Sequence, residues 1–497
     1  MADRRLRLLA LLCALCAPPA RAAEAPKPAP WALPAEGNCQ PEGGLRSAPG
    51  DDAPPQVPFR TGDSFDIARL EALRHFVPKE LWQYRERFFY EGMRLEIGPC
   101  FRDYSAPAFY RAATEKLIGQ AKLDADGGLS GFGAGQPFPP EAIDPADPQA
   151  GLRWAWDVAE RYQGAGFRGK FRVTDLLGRV GRAEPFEGEI FKLDVSHRAD
   201  RPDSGYALSF AKGNHWVAGG KLFAPFAARD YAWRQYRNDE SMWKANRSDD
   251  LVAFLPEWRR VRRIPAADIE GLHMPSFSVG VVPSKQLVVG SGGGGFGSGG
   301  VSAAGSPSGV GGGTIQTKRS GFEGLEIRPV LWSYRVVGVQ DLLAPINVAA
   351  PMYPAEPNRE FGPWGLSFAS DRWDLRRTLV LEARVKGEPS YRGESRLVMY
   401  VDLQTLVPLY YISYSKKEEP IDIGIFAGRW SEDRPDYPRW PDDPARPVRV
   451  IDSVGAAFAN LAEEGSWRRE SWELVSTPPP DAELKKLESS TDLTKGR

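Results

Sequence analysis

The chain has 497 residues, of which 42% are hydrophobic and 26% charged, with a formal net charge of −1. That is globular composition with enough apolar material for one large or two medium domains. The near-neutral balance excludes the broad basic field that binding to nucleic acid requires.

Residues 1–22 read as a secretory signal peptide. Arg4, Arg5 and Arg7 precede the apolar run Leu8 to Ala17, and Ala20-Arg21-Ala22 is a small-x-small cleavage site. The apolar run is too short to span a bilayer. Cleavage leaves 60 basic against 64 acidic residues, a net charge of −4. Cys13 and Cys16 follow Leu12 and Leu15, which are not the small residues that lipid attachment needs. Only Cys39 and Cys100 survive cleavage. In an oxidising compartment they are expected to pair, tying the N-terminal arm to the first folded segment; two free thiols are the alternative.

Residues 23–58, rich in Pro, Ala and Gly, read as an extended arm. Residues 59–165 are expected to be mainly helical, with helices over Phe65–Arg87, Phe109–Leu123 and Ala155–Tyr162. From 166 to 289 the texture is that of strands: Lys170–Leu177, Glu187–Val195, Tyr206–Ala211 and Trp216–Phe223. A hairpin is expected from Ser241–Ala245 to Leu251–Ile264, turning through Asn246–Asp250. Residues 290–313 form a Gly-rich insertion. Its GxGxxG spelling lacks the flanking strand and helix of a dinucleotide site and carries no such meaning.

The second strand region covers 314–475. Leu325–Gln340 is its first strand, and a meander from Asp371 to Lys417 follows. There Leu379, Leu381, Ala383 and Val385 alternate with Thr378, Glu382, Arg384 and Lys386, and Leu397, Met399 and Val401 repeat the pattern. Asp402–Thr405 supply a turn before Leu406–Tyr414. Val454–Leu461 is expected to be a short helix, Trp467–Leu474 a last strand, and 476–497 a loosely ordered tail.

No catalytic signature is present. There is no GxSxG elbow, and the four histidines, His75, His197, His215 and His273, form neither HExxH nor a Cys/His zinc pattern. His215, beside Trp216 in a strand, reads as structural. The acidic pairs Asp249-Asp250, Glu418-Glu419 and Asp442-Asp443 lie in hydrophilic turns. No metal, cofactor or catalytic residue is expected. Arg259, Arg260, Arg262 and Arg263 divide between the two faces of a strand, which suits cross-strand pairing better than a nucleic-acid patch.

Several stretches resemble a known family. Gly135-Gln-Pro-Phe-Pro with Trp154-Ala-Trp156, Phe254-Leu-Pro-Glu-Trp-Arg-Arg-Val-Arg-Arg, Asp371-Arg-Trp-Asp-Leu-Arg-Arg and Tyr400-Val-Asp-Leu-Gln-Thr-Leu-Val-Pro-Leu-Tyr look like landmarks of domain of unknown function 1329. They stand in family order across about residues 60–475. The family consists of Gram-negative envelope proteins similar to outer-membrane lipoprotein-sorting proteins. The resemblance implies a mainly β, α+β fold: a large curved antiparallel sheet forming an incomplete barrel around helices, like the carriers LolA and LolB. The insertion at 290–313 and the long helical N-terminal part depart from that pattern.

The resemblance and the missing catalytic chemistry suggest a periplasmic binding or carrier protein, not an enzyme. Its cargo would be a lipid, an acylated protein or another hydrophobic ligand held on a concave apolar wall. The alternation nominates Leu379, Leu381, Val385, Leu397, Met399, Val401, Leu409 and Tyr411 for that wall. Association with the outer membrane is an expectation of the same kind. Two alternatives stay open. One is an envelope docking protein with a protein partner, accessory to an inner-membrane exporter. The other is an envelope hydrolase, whose mark would be His215 or His197 beside a carboxylate at a cleft.

Overall fold

The structure, a computed structural model, describes residues 31–42, 44–47, 56–176, 183–201, 212–256, 259–264, 271–273, 326–349, 368–386, 394–461, 467–487 and 493. The chain divides into two units, Met1–Ala32 and Leu33–Arg497, and every element below belongs to the second. The signal peptide expected at 1–22, the insertion at 290–313 and the strand expected over Tyr206–Ala211 lie outside the described residues.

The N-terminal strands are short: β1 (Ser64–Phe65), β2 (Leu95–Ile97), and the separate ribbon of β3 (Lys122–Leu123) and β4 (Leu129–Ser130). A first long series follows: β5 (Gly166–Leu176), β6 (Ala183–Asp194), β7 (Asn214–Ala224), β8 (Ala232–Asn238), β9 (Asp250–Leu255) and β10 (Arg260–Ile264). The second series is β11 (Trp332–Ala344), β12 (Arg372–Val385), β13 (Glu394–Asp402), β14 (Pro408–Ser415), β15 (Pro420–Trp430), β16 (Ile451–Asn460) and β17 (Trp467–Val475).

Fifteen of these strands share one sheet. From β12 it runs antiparallel through β13, β14, β15, β16 and β17, then crosses to β5 and continues in order to β10. The junction is a full ladder, with Trp472 opposite Phe171 and Leu474 opposite Gly169. β11 pairs along the other side of β12, and the start of β12 takes β2 in parallel, which makes the sheet mixed. The sheet does not close into a barrel: among the described residues β10 and β11 do not pair.

Three packing layers hold it. The segment from Val57 to Tyr104, with the 3-10 helix Ile67–Phe76 and helix α1 (Lys79–Gln83), covers one face of β11–β16. Phe76 and Leu81 meet Trp373, Tyr410, Ile412 and Ile423 in that cluster. A second cluster joins β5–β9 to β17 through Phe171, Trp216, Trp233 and Trp472. Helix α2 (Ala108–Leu117) precedes the loop to α3 (Ala150–Ala159), which lies against β11 and β12 with Trp154 and Trp156 fully buried. A Cβ at Gly151 would come within 2.6 Å of the Tyr334 backbone, so glycine is what lets α3 approach β11 this closely.

Ion pairs fix the start of the meander. Arg376 donates to Asp402 at 2.8 Å and Arg377 to Asp341 at 2.9 Å, all four side chains being buried. Asp402 also accepts from the Thr405 amide and hydroxyl, both at 2.8 Å, which forms the turn the sequence predicts. Cys39 and Cys100 form a disulfide. No helix among the described residues is long and apolar enough to cross a membrane.

Three expectations are corrected. Val454–Leu461 lies largely in strand β16, not a helix: β15 and β17 supply a ladder on both sides, and Phe458 packs edge-on to Tyr411 and Phe426. Ser241–Ala245 does not begin a hairpin. Helix α4 (Asp239–Trp243) forms there instead because the Asn238 side chain accepts from the Ser241 amide while the Ser241 hydroxyl accepts from the Asn238 amide. The hairpin is β9–β10. Finally, Ser476–Pro479 are buried and α5 (Asp481–Leu487) is helical, where a loose tail was expected.

Candidate functional site

Strands β5–β8 and the C-terminal segment line an open cavity of about 740 Å³. On β6, Phe191 and Leu193 point to one face because strand side chains alternate. They meet Val217 of β7, Tyr236 of β8 and Leu484 of α5. Phe223 of β7 and Pro479 of the C-terminal segment extend the apolar lining. Gly220 lines the cavity where a Cβ would fall 2.5 Å from the Trp233 ring.

The C-terminal wall is pinned. Ser476 donates its amide to the Tyr437 hydroxyl at 2.7 Å and its hydroxyl to Asp452 at 2.6 Å, while its carbonyl accepts from Ala165 at 2.9 Å. This explains why a segment rich in Pro and charge is ordered: its backbone groups have partners at its first residue.

The lining carries five basic side chains, Arg168, Lys170, Lys192, Lys221 and Arg234, against two acidic ones, Glu189 and Glu483. Some of this charge is already used. Lys192 contacts Asp194 at 2.7 Å and Glu326 at 3.0 Å. Burial alone lowers the pKa of Lys192, and those two carboxylates more than offset it, so the pKa is raised and the ammonium is held charged. Lys221 pairs with Asp230 at 2.9 Å, and the Arg234 guanidinium lies 4.9 Å from the centre of the Phe191 ring. Arg168 differs. Its Nε is buried without a hydrogen-bond partner among the described residues, and the residue lines the cavity. The site therefore combines an apolar wall with a cationic surplus.

The residues nominated from the sequence lie elsewhere. Leu379 stands opposite Val401, Leu381 opposite Met399, and Met399 opposite Tyr411, so the register brings these onto one face. Leu397 shares that face. All six are buried, the aliphatic ones at 2% exposure or less. Val385 is half-buried at the strand end. Leu409 sits at the register shift of β13–β14 and joins the cluster beneath the N-terminal segment. Of the nominated residues, Leu409 alone lines one of the described cavities, a space of about 40 Å³. The face around Leu381 is buried, and the 740 Å³ space lies on the other half of the sheet. The sequence did carry a signal for it, the Phe191/Leu193 alternation with adjacent lysines. The wall supplied by the tail had no such mark.

Residues 83–276 match the family model "Protein of unknown function (DUF1329)". Among solved structures, the chain is similar to a DUF1329 family protein from Desulfovibrio piger ATCC 29098, with 13% identity and a TM-score of 0.39, covering 70% of this chain and 99% of that one. It is also similar to a putative outer membrane lipoprotein-sorting protein domain from Vibrio parahaemolyticus, with 13% identity, a TM-score of 0.37, and coverage of 70% and 100%. A LolA superfamily protein from Nitrosomonas europaea follows at 8% identity and a TM-score of 0.31, with coverage of 67% and 96%. No curated protein matches the chain. The landmarks at Asp371–Arg377 and Tyr400–Tyr410 lie beyond the matched span. The match to this family model thus covers residues 83–276.

Proposed function

We propose that the protein is a periplasmic binding or carrier protein that holds a hydrophobic or amphiphilic ligand in the cavity between β5–β8 and the C-terminal segment. The observation that carries this reading is the cavity itself. About 740 Å³ falls within the roughly 300–1,000 Å³ of small-molecule sites. Each methylene moved from water onto Phe191, Leu193 and Phe223 contributes roughly 0.8 kcal/mol. The cationic surplus, Arg168 foremost, favours a ligand with an anionic end, such as a fatty acid or an acidic lipid. The compartment rests on the sequence of residues 1–22 and on the Cys39–Cys100 disulfide, which belongs to an oxidising environment. In this reading the packed face around Leu381 and Met399 supports the sheet.

A fluorescent fatty acid titrated into the folded protein tests the assignment. Wild type is expected to saturate. Phe191→Glu should abolish binding, and Arg168→Ala should weaken it about tenfold, the scale of one hydrogen bond to a charged group. Binding by all three with equal affinity, or by none, would remove this cavity as the site.

A further inference from the structure

Away from that cavity, four separated segments place two imidazoles and a carboxylate around one point. His197 follows β6, His215 lies on β7, Asp239 opens α4, and Glu160 follows α3. His197 Nε2 lies 3.2 Å and His215 Nδ1 3.1 Å from the same oxygen, Asp239 Oδ1. The donor atoms of these three residues all fall within 4.8 Å of one another. Ligand bonds of about 2.0–2.2 Å at tetrahedral angles put donor atoms roughly 3.3–3.6 Å apart, close to the two His–Asp distances here.

The outer partners fit as well. The remaining nitrogen of each ring is held: His197 Nδ1 donates to the Gly133 carbonyl and His215 Nε2 to Glu160 Oε2, each at 3.1 Å. Metal-bound histidines are oriented in this way, with the far N–H on a carbonyl or carboxylate. The ring planes are fixed further by Phe132 stacked on His197 at 5.2 Å and Trp243 beside both rings. Glu160 Oε1 is buried with no hydrogen-bond partner among the described residues, leaving an acceptor at the same place. Asp239 is 42% exposed, which gives an ion a way in. A space of about 50 Å³ lined by Tyr162, Ser196 and His197 adjoins the cluster and has room for a water as a fourth ligand.

We propose that His197, His215 and Asp239 form a binding site for a divalent transition cation of the zinc class, with Glu160 and the Gly133 carbonyl as positioning groups. Two imidazoles and one carboxylate suit Zn²⁺ and its neighbours and not Ca²⁺ or Mg²⁺, which take oxygen ligands. Sequence spacing hides the site, since no two of its ligands lie within one helical turn or a short motif. It stands independently of the carrier reading.

The test uses the full chain, stripped with chelator and titrated with Zn²⁺ by calorimetry and with Co²⁺ by visible absorption. One ion per chain is expected, with Co²⁺ displaced by Zn²⁺ and insensitive to a large excess of Ca²⁺. His197→Ala and Asp239→Ala should each lose saturable binding while circular dichroism shows a folded β protein. Glu160→Gln should keep the stoichiometry and weaken affinity about 10–100-fold. His75→Ala, remote from the site, should bind like wild type. Folded wild type that takes up neither Zn²⁺ nor Co²⁺ overturns the proposal. So does wild-type affinity in His197→Ala and Asp239→Ala, which would place any ion elsewhere. Should those variants unfold, the wild-type titration and Glu160→Gln still decide.

Discussion

His273 is fully buried against the edge of Trp233, and neither ring nitrogen has a hydrogen-bond partner among the described residues. Burial pushes its pKa down from 6.5 to about 3. The folded protein keeps this ring neutral where the unfolded chain would protonate it. Its contribution to stability is therefore complete above pH 6.5 and is lost as pH falls from 6.5 toward 3. Asp374 and Asp452 act with the opposite sign, because burial raises both to about 6. Comparison with His273→Phe isolates the histidine: from pH 5 to pH 7 the urea midpoint should rise less, or fall more, in the variant than in wild type. An equal difference in both proteins would contradict the assignment. Individual residues were legible only where chemistry is local. The turn expected at Asp402–Thr405 shows this, with Asp402 accepting from the Thr405 amide and hydroxyl, whereas Arg376 and Arg377 pair with the distant Asp402 and Asp341. The convergence of His197 and His215 on Asp239 was not legible, since only the packing of α3 and α4 beside β7 creates it.

Elements were legible where burial follows a simple period. The meander shows this best: β12 and β13 each alternate, and their register sets Leu381 against Met399. Period alone does not tell a wall lining a void from a face packed shut, which is why the nominated residues proved buried. Val454–Leu461 misled through its alanines, which favour a helix in isolation but here complete a ladder between two strands. The C-terminal segment misled through composition, because its order depends on distant partners, Tyr437 and Asp452. That segment supplies a prediction. A chain ending at Val475 loses Pro479, Glu483 and Leu484 and opens the cavity to solvent. It should keep the far-ultraviolet spectrum of the β sheet yet bind a fluorescent fatty acid at least tenfold more weakly. Unchanged affinity would show that the segment is no wall of the site.

At the scale of the whole molecule, the ladder between β17 and β5 is the decisive contact. It makes one open sheet from two strand series that the Gly-rich insertion separates in sequence. The sequence carried the mainly β class and the open sheet through its alternation and its family landmarks. The cavity depends on β5, β6, β7, β8 and the C-terminal segment meeting in space, and no single stretch records that. Cargo is the central claim, and native purification without detergent, followed by solvent extraction and lipid mass spectrometry, tests it most directly. An acyl-chain amphiphile, enriched over a Phe191→Glu control purified in parallel, is the result predicted. An extract from folded wild type no richer in lipid than that control would contradict the account.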